Sequence, residues 1–234
     1  MKNERELYMY MAHVYDQTDR HQETIDLITK AINLDPKLSI DEINLLSSSY
    51  KTIVTKHRNA IKTLEAISKY HDESANEEII GEYDHIESMV VNDLVNICNN
   101  FIKTIDETLI PYETDIDAIL FYYKLKADYL RYICEARKND DEIKDKCRET
   151  YEFAVHYAKE NVPKYKPSFL GLMLNYSIFL VDVLGNKEKG IEIAQNAYDE
   201  SLPFIDHNIN DSFNEATMII IMMNENIQKW KSLQ

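Results

Sequence analysis

The stretch SIDEINLLSSSYKTIVTKHRNAIKTLEAISKY, residues 39–70, predicts one long amphipathic helix. Its apolar residues recur at spacings of three, four and seven with charged residues between them, which is the period of a single buried helix face. Ser39 and Glu42 form a capping box at its start, because the serine oxygen can accept a hydrogen bond from the Glu42 N–H while the carboxylate reaches back. We therefore expect a helix over residues 40–70.

The same helical period runs through the rest of the chain, and no stretch shows the strict alternation of a β-strand. Helix breakers stand at the expected ends: Pro36, Pro111 and Pro203 follow or close periodic stretches, and Gly185 and Gly190 flank another connection. Short connections imply antiparallel neighbours, so we predict an all-α fold. Nine helices are expected near residues 3–17, 20–34, 40–70, 76–108, 115–138, 142–162, 167–184, 188–202 and 211–232.

The composition excludes several classes of protein. The 234 residues contain only four glycines, too few for the phosphate-binding loops of nucleotide-binding α/β folds or for hairpin-rich sheets. A formal charge of −15 argues against binding to nucleic acid or anionic lipid, each of which needs a basic face. The longest apolar run, residues 218–223, is far short of the ~20 residues that span a bilayer. We expect a soluble, cytoplasmic protein, open to nuclear shuttling, with no nucleic-acid partner and no membrane insertion.

No catalytic or metal-binding motif is complete in this sequence. There is no HExxH pair, no GxSxG turn, and no CxxC pair among the three cysteines. Residues 206–210 start like a calcium loop, but Asp211 stands where that loop needs glycine and Thr217 where it needs glutamate. We predict a helix N-terminus there, reduced and mostly buried cysteines, no cofactor and no metal. A small-molecule enzyme would need a nucleophile beside a base, which the sequence does not offer, so we predict that the protein is not an enzyme.

Two pairs of basic residues share a spacing that places each pair on one stripe of its helix. Lys51 and Arg58 lie seven residues apart in the third predicted helix, and Lys124 and Arg131 lie seven apart in the fifth. Seven residues are two helical turns, so the members of each pair project from the same side.

Asp128 and Tyr132 add to the second pair. Asp128 is four residues after Lys124 and three before Arg131, where its carboxylate can orient both cations. Tyr132 supplies a phenolic donor. Converging guanidinium, ammonium and hydroxyl donors suit a phosphate monoester, whereas ordinary ion pairs on a helix surface have the same spacing. Spacing alone leaves both interpretations open.

Two helices of the C-terminal half each combine an apolar stripe with an amide side chain. An asparagine both donates and accepts, so it can pair with the backbone of an extended peptide, although core packing around satisfied amides would explain the pattern equally. The residues are Leu174, Ile178 and Asp182 with Asn175 in one helix, and Met218, Met222, Asn226 and Trp230 with Ile219 in the other. A basic wall and an amphipathic wall on one chain would form a groove for an extended phosphopeptide.

Two segments favour a different architecture. Residues 24–36 and 190–203 both look like the second helix of a tetratricopeptide unit. The 34-residue period of such repeats is not sustained, because the third and fourth predicted helices are each about 30 residues long. A tetratricopeptide-like helical scaffold that binds unmodified peptides therefore remains the alternative.

Four stretches together resemble the 14-3-3 family of phosphoserine- and phosphothreonine-binding adaptors. They occur in the family's order and cover essentially the whole chain. The stretches are LSIDEINLLSSSYKTIVTKHRNAI from Leu38, FYYKLKADYLRYICE from Phe121, LGLMLNYSIF from Leu170 and ATMIIIMMNENIQKW from Ala216.

The resemblance implies a single 14-3-3 domain over residues 1–234, in which nine antiparallel helices form a cup with an amphipathic central groove. Residues 1–108 would be the dimerisation half, and residues 115–234 would complete the groove. The implied activity is binding of phosphorylated clients with Arg-x-x-pSer-x-Pro motifs, which the protein would clamp, mask or bridge in signal transduction.

The resemblance also assigns roles to individual residues. Phosphate would be bound by Lys51, Arg58, Arg131 and Tyr132, with Lys124 on the same wall. Asn175 and Asn226 would hold the peptide backbone, and Asp182 and Trp230 would border the groove. The apolar wall would consist of Leu174, Ile178, Ile219 and Met222.

The family's dimer interface is matched only in part. Arg20 and Asp93 match one ion pair that crosses the dimer, so we expect a dimer of this chain with itself or with a relative. Glu23 matches the acidic member of a second pair, but Met89 stands at the facing position, and that bridge is expected to be absent. A surface ion pair contributes at most ~1 kcal/mol, so its loss need not abolish a dimer.

Overall fold

The computed structural model describes residues 2–68, 77–205 and 211–232, and the chain divides into two compact units, Met1–Glu113 and Thr114–Gln234. Within the described ranges all regular structure is helical and no strand occurs. The described residues form nine α-helices, so the all-α fold predicted from the sequence is confirmed.

The N-terminal unit contains four helices that pack in chain order, each against the next. Helix α4 is continued by a π-helical turn and then by a short 3₁₀ turn that contains Pro111. Buried side chains from these helices form the core, and the Tyr50 and Phe101 rings stack at 4.1 Å between centroids. The helices are α1 (Lys2–Asp16), α2 (His21–Leu34), α3 (Ile40–Ser68) and α4 (Glu77–Thr104).

The C-terminal unit contains the other five helices. Helix α5 packs on α6, α8 packs on α7 and α9, and α7 also contacts α5, α6 and α9. Its core is built around Tyr151, whose ring lies 5.4 Å from that of Tyr176 and 5.3 Å from that of Phe179. The helices are α5 (Ile116–Ala136), α6 (Asp141–Asn161), α7 (Pro167–Ile178), α8 (Lys187–Ile205) and α9 (Asp211–Ser232), and a π-helical turn (Phe179–Val183) follows α7.

Short polar side chains begin several helices. The Ser39 N–H donates to Glu42 Oε2 at 2.8 Å and the Glu42 N–H donates to Ser39 Oγ at 3.3 Å, so the predicted capping box is confirmed. Arg5 adds two hydrogen bonds to the same carboxylate, at 2.8 and 2.9 Å. Asp115 and Asp140 cap α5 and α6 in the same manner, each accepting from a backbone N–H three residues on.

One helix-breaker prediction was wrong in detail. Pro203 was expected to close α8 near residue 202, but α8 continues to Ile205 with the proline inside its last turn. Gly190 lies in the first turn of α8, inside the helix predicted over residues 188–202, and a Cβ there would be 2.4 Å from Val181 Cγ2. Gly190 therefore serves close packing between helices, whereas Gly185, at φ +67°, supplies the turn.

The three cysteines are buried and none forms a disulfide. Burial raises the pKa of the Cys147 thiol, and its Sγ donates to the Ala127 carbonyl at 3.5 Å. No helix within the described ranges combines the length and apolar composition needed to cross a membrane.

Candidate phosphopeptide site

In the N-terminal unit, Lys51 and Arg58 lie on one stripe of α3, two turns apart, as their spacing predicts. Lys51 is exposed and Arg58 is half-buried. Lys51 has no ion-pair partner in the described part of the chain, so its ammonium is available to an incoming anion.

In the C-terminal unit, a buried carboxylate collects donors from three helices. Asp128 is only 3% exposed, and Lys124 Nζ donates to its Oδ2 at 2.8 Å. Tyr151 on α6 donates to Oδ1 at 2.6 Å, and Asn175 on α7 donates to both oxygens at 2.9 and 2.8 Å. The predicted contact between Asp128 and Lys124 is present. We refer to these four residues as the Asp128 cluster.

Arg131 lies beside the Asp128 cluster, but its main partner is different from the one expected. Its Nη2 is 3.9 Å from Asp128 Oδ1, whereas its Nη1 donates to Glu135 at 2.5 Å and its Nε to the Tyr151 hydroxyl at 3.3 Å. The guanidinium carbon lies 4.7 Å from the centroid of the Tyr132 ring. Arg131 is therefore held in one orientation by a carboxylate, a hydroxyl and an aromatic ring.

The protonation states in this region follow from burial and charge. Burial alone would raise the pKa of Asp128, but Lys124 and Arg131 lower it below its usual range. Burial raises the pKa of Tyr151, and the neighbouring Asp128 raises it further, so the phenol stays protonated. At neutral pH Asp128 is an anion held by two cations and by the hydroxyl of a neutral tyrosine.

Asp182 lies in the π-helical turn that follows α7 and is exposed to solvent. Partial burial and the nearby Glu135 raise its pKa, while Lys229 and Arg131 oppose the shift. Asp182 is therefore a third carboxylate, after Glu135 and Asp128, that lies close enough to Arg131 to interact with it electrostatically.

The apolar residues and amides predicted to contact peptide differ in exposure. Leu174 and Ile219 are buried, Ile178 is half-buried, and Met222 is 44% exposed. A Cβ placed on Gly171 would lie 3.5 Å from Lys124 Cε and 3.9 Å from Ile219 Cδ1, so basic and apolar groups of α5 and α9 meet beside this glycine. Asn175 and Asn226 are half-exposed, and Trp230 is 4% exposed, so its ring belongs to the interior of the C-terminal unit.

Tyr151 and Glu135 are the residues of this region that sequence reasoning missed. Glu135 could have been found, because it is four residues after Arg131 on the same helix. Tyr151 lies on another helix, twenty residues from Arg131, and no local spacing points to it.

The described residues contain no group of three or more histidine, cysteine, aspartate or glutamate side chains that could hold a metal ion. The calcium-like run at residues 206–210 lies outside the described residues.

The residues expected at the dimer interface lie in the N-terminal unit. Arg20 forms an ion pair with Glu23 of the same helix turn, and its guanidinium carbon lies 4.6 Å from the Tyr15 ring centroid. Asp93 and Met89 are exposed on α4. The pairing of Arg20 with Asp93 across a dimer stays a prediction.

Clustered cations beside amide and apolar side chains are the groups with which a phosphopeptide-binding protein would contact its ligand. The sequence model described as "14-3-3 protein" matches residues 11–231, and the chain belongs to the 14-3-3 family. It is 33% identical to "14-3-3 protein 8" of Solanum lycopersicum over 231 residues, 98% of this chain and 88% of that protein. It is 30% identical to "14-3-3-like protein GF14 epsilon" of Arabidopsis thaliana over 234 residues, 99% of this chain and 92% of that protein.

Family membership supports a general role as a phosphopeptide-binding adaptor, without enzymatic activity. It also supports binding of phosphorylated client proteins and dimerisation.

Proposed function

We propose that this protein binds phosphoserine and phosphothreonine motifs of client proteins in an amphipathic groove, and regulates those clients by clamping, masking or bridging them. Lys51, Arg58, Lys124, Arg131 and Tyr132 would bind the phosphate. The Asp128 cluster supports the proposal, because it fixes Lys124 beside the held guanidinium of Arg131 before any ligand arrives.

Charge balance indicates which of these residues matter most for binding a dianion. In the C-terminal unit the charges of Lys124 and Arg131 are matched by those of Asp128 and Glu135. The net positive charge that a phosphate monoester requires would therefore come from α3, chiefly through Lys51, which has no ion-pair partner in the described part of the chain. The amides of Asn175 and Asn226 would hold the peptide backbone, and Asn175 retains its carbonyl oxygen as an acceptor, since its NH₂ group already donates to Asp128.

The test is fluorescence anisotropy with a labelled Arg-x-x-Ser-x-Pro peptide, with and without phosphate on the serine. Binding of the phosphorylated form alone supports the proposal, and equal affinity for both forms would instead favour a scaffold that binds unmodified peptides. Lys51→Glu and Arg58→Ala should each weaken binding by about tenfold or more, because each removes a charge-assisted contact.

Lys56→Glu is the matched control for Lys51→Glu. Lys56 is exposed on the same helix, but five residues are 500°, which places it about 140° from Lys51 around the axis. This variant makes the same change in net charge and should leave affinity within about threefold, since screening limits the effect of distant surface charge. An equal loss of phosphopeptide affinity in both variants would mean that the lysines of α3 act only through the overall electrostatic field of the protein. The assignment of Lys51 to phosphate binding would then be wrong.

We also infer that the N-terminal unit carries the dimer contact. Helix α1 leaves Leu7, Tyr10 and Val14 exposed at helical spacing, with Tyr10 at 67%, which is an apolar stripe of the kind that partner subunits cover. Tyr10→Glu should shift the protein from dimer to monomer in sedimentation velocity. An unchanged sedimentation coefficient would place the contact elsewhere. The cytoplasmic location expected for a phosphopeptide-binding adaptor stays a prediction.

A further inference from the structure

Three aromatic side chains form a cluster on the outer side of α5 and α6, which the phosphopeptide site does not use. The ring of Tyr123 lies 4.8 Å from that of Phe153 and 5.5 Å from that of Tyr157, and both pairs are edge-to-face. Phe153 is 51% exposed, and both tyrosines are half-buried. We call these three residues the outer aromatic cluster.

The outer aromatic cluster faces away from the Asp128 cluster. Phe153 follows Tyr151 by two residues, which is 200° around α6, and Tyr151 points inward to Asp128. Ile116, seven residues before Tyr123 on α5, is also exposed and extends the apolar surface by two turns. A large aromatic side chain that is half exposed to solvent is not part of the core. Exposed apolar patches of this kind mark interaction surfaces.

Carboxylates border this surface. Glu149 is exposed one turn before Phe153, and Glu160 is exposed two turns after it, 3.4 Å from His156. Asp115 and Asp117 lie close enough to Tyr157 to add to the effect of burial in raising its pKa.

The nearby cations leave the border acidic. Lys166 pairs with Asp117, and Lys126 lies one turn beyond Tyr123 and is itself engaged. Lys146 is exposed seven residues before Phe153 on the same stripe of α6, so three lysines stand against the four border carboxylates.

We propose that the outer aromatic cluster is a docking surface for a partner segment that carries lysine or arginine beside apolar side chains. A cation would lie over the open face of the Phe153 ring, where the π-electrons attract it, and Glu149 would pair with the same charge. An acidic segment would meet repulsion from the border. A second copy of this chain would bring the same carboxylates against each other, which disfavours self-association through this face.

The probe is a fluorescein-labelled octapeptide of alternating leucine and arginine, titrated with the full chain at about 0.15 M salt, where long-range attraction is largely screened. Its counterpart with glutamate in place of arginine should not bind. Phe153→Ser should weaken binding of the arginine peptide by about tenfold or more, the loss typical of truncating an aromatic anchor. Glu149→Gln should cause a smaller loss.

Phe204→Ser is the matched control, because Phe204 is 50% exposed and its ring is also paired with a tyrosine, Tyr165, at 5.0 Å. It should leave the affinity for the arginine peptide unchanged. Far-UV circular dichroism checks that both variants fold.

Three results would overturn the proposal. The first is equal affinity of wild type and Phe153→Ser for the arginine peptide, which would mean that the peptide is attracted by the net negative charge of the protein and not by this surface. The second is binding of the glutamate peptide as tightly as the arginine peptide. The third is loss of a dimer in sedimentation when Phe153 is changed, which would make this face a contact between copies.

Discussion

The Asp128 carboxylate is buried, charged and hydrogen-bonded by side chains from three helices. A buried charge is tolerated only when partners replace the water it loses, and here Lys124, Tyr151 and Asn175 do so. Since these contacts favour the ionised form, the pKa of Asp128 in the folded protein is below its ordinary value of 3.8. Asp128 therefore stabilises the fold above that value and stops doing so as the pH falls through its folded pKa.

Asp128→Asn should lower the free energy of unfolding at pH 7 by about 3 kcal/mol or more, because two cations lose their buried counter-charge. The difference from wild type should shrink as the pH falls from 3.8 through the lower folded pKa of Asp128, because the unfolded wild type takes up the proton first and the folded protein only afterwards. Urea unfolding at pH 7 and at a pH below 3.8 measures both effects.

Asp117→Asn is the control for this experiment. Asp117 pairs with Lys166 but is substantially exposed, so the loss should be at most about 1 kcal/mol. A constant difference between Asp128→Asn and wild type across the pH range would contradict the assignment of the charge to Asp128.

Sequence reasoning located Asp128 because all its expected contacts lie within one turn of α5. It missed Tyr151, since a hydroxyl that donates across twenty residues depends on how α6 packs on α5. Local periodicity predicts which face a residue occupies, but not which residue of another helix meets it.

At the level of the helices, starts were more predictable than ends. The Ser39–Glu42 box is a local signal that begins α3 as expected, and the aspartate caps that the structure shows at residues 115 and 140 are local signals of the same kind. The prediction that Pro203 closes α8 was wrong because a proline ends a helix only where its ring clashes or a needed N–H is lost. Helix α8 continues two residues beyond Pro203. The π-helical turns after α4 and α7 left no recognised sequence signal.

Ser39→Ala should destabilise the protein by about 1 kcal/mol, the usual effect of removing an N-cap oxygen. Ser48→Ala is the control, since Ser48 lies within α3 and its hydroxyl only donates a hydrogen bond to the Leu45 carbonyl in the preceding turn. Alanine is the better helix former there, so stability should be equal or slightly higher. Thermal unfolding compares the two variants, and equal destabilisation would mean that the box contributes nothing specific.

Gly190→Ala should destabilise by about 1–3 kcal/mol, because the new methyl group would overlap Val181 Cγ2 and approach the Ser177 carbonyl oxygen at 3.0 Å. Gly81→Ala on α4 should instead stabilise by up to about 1 kcal/mol, since nothing lies within 4 Å of the added carbon. Chemical denaturation measures both changes. A neutral Gly190→Ala variant would show that α7 and α8 can separate at no cost.

For the molecule as a whole, the charge of −15 sets the electrostatic background of every local interaction. Like charges spread over one chain repel each other and favour expansion, and added salt reduces that repulsion. Composition also predicted the all-α class, because scarce glycine and continuous helical periodicity are properties of the whole chain.

The melting temperature should rise when sodium chloride is raised from about 10 mM to about 150 mM, because screening weakens net repulsion more than it weakens the buried contacts of Asp128. Glu82→Lys, at an exposed position on α4, reduces the net charge and should make the rise smaller. A fall in melting temperature would mean that surface ion pairs outweigh the repulsion.

The sharing of one carboxylate by Lys124, Tyr151 and Asn175 has a consequence for how this protein can change. The contribution of each donor to stability depends on which of the other donors is present. The effects of substitutions at these positions on stability will therefore not be additive. A change that is harmful alone can become acceptable once a second has been made. The cluster is therefore a point of epistasis, where the order in which substitutions occur decides which sequences remain reachable.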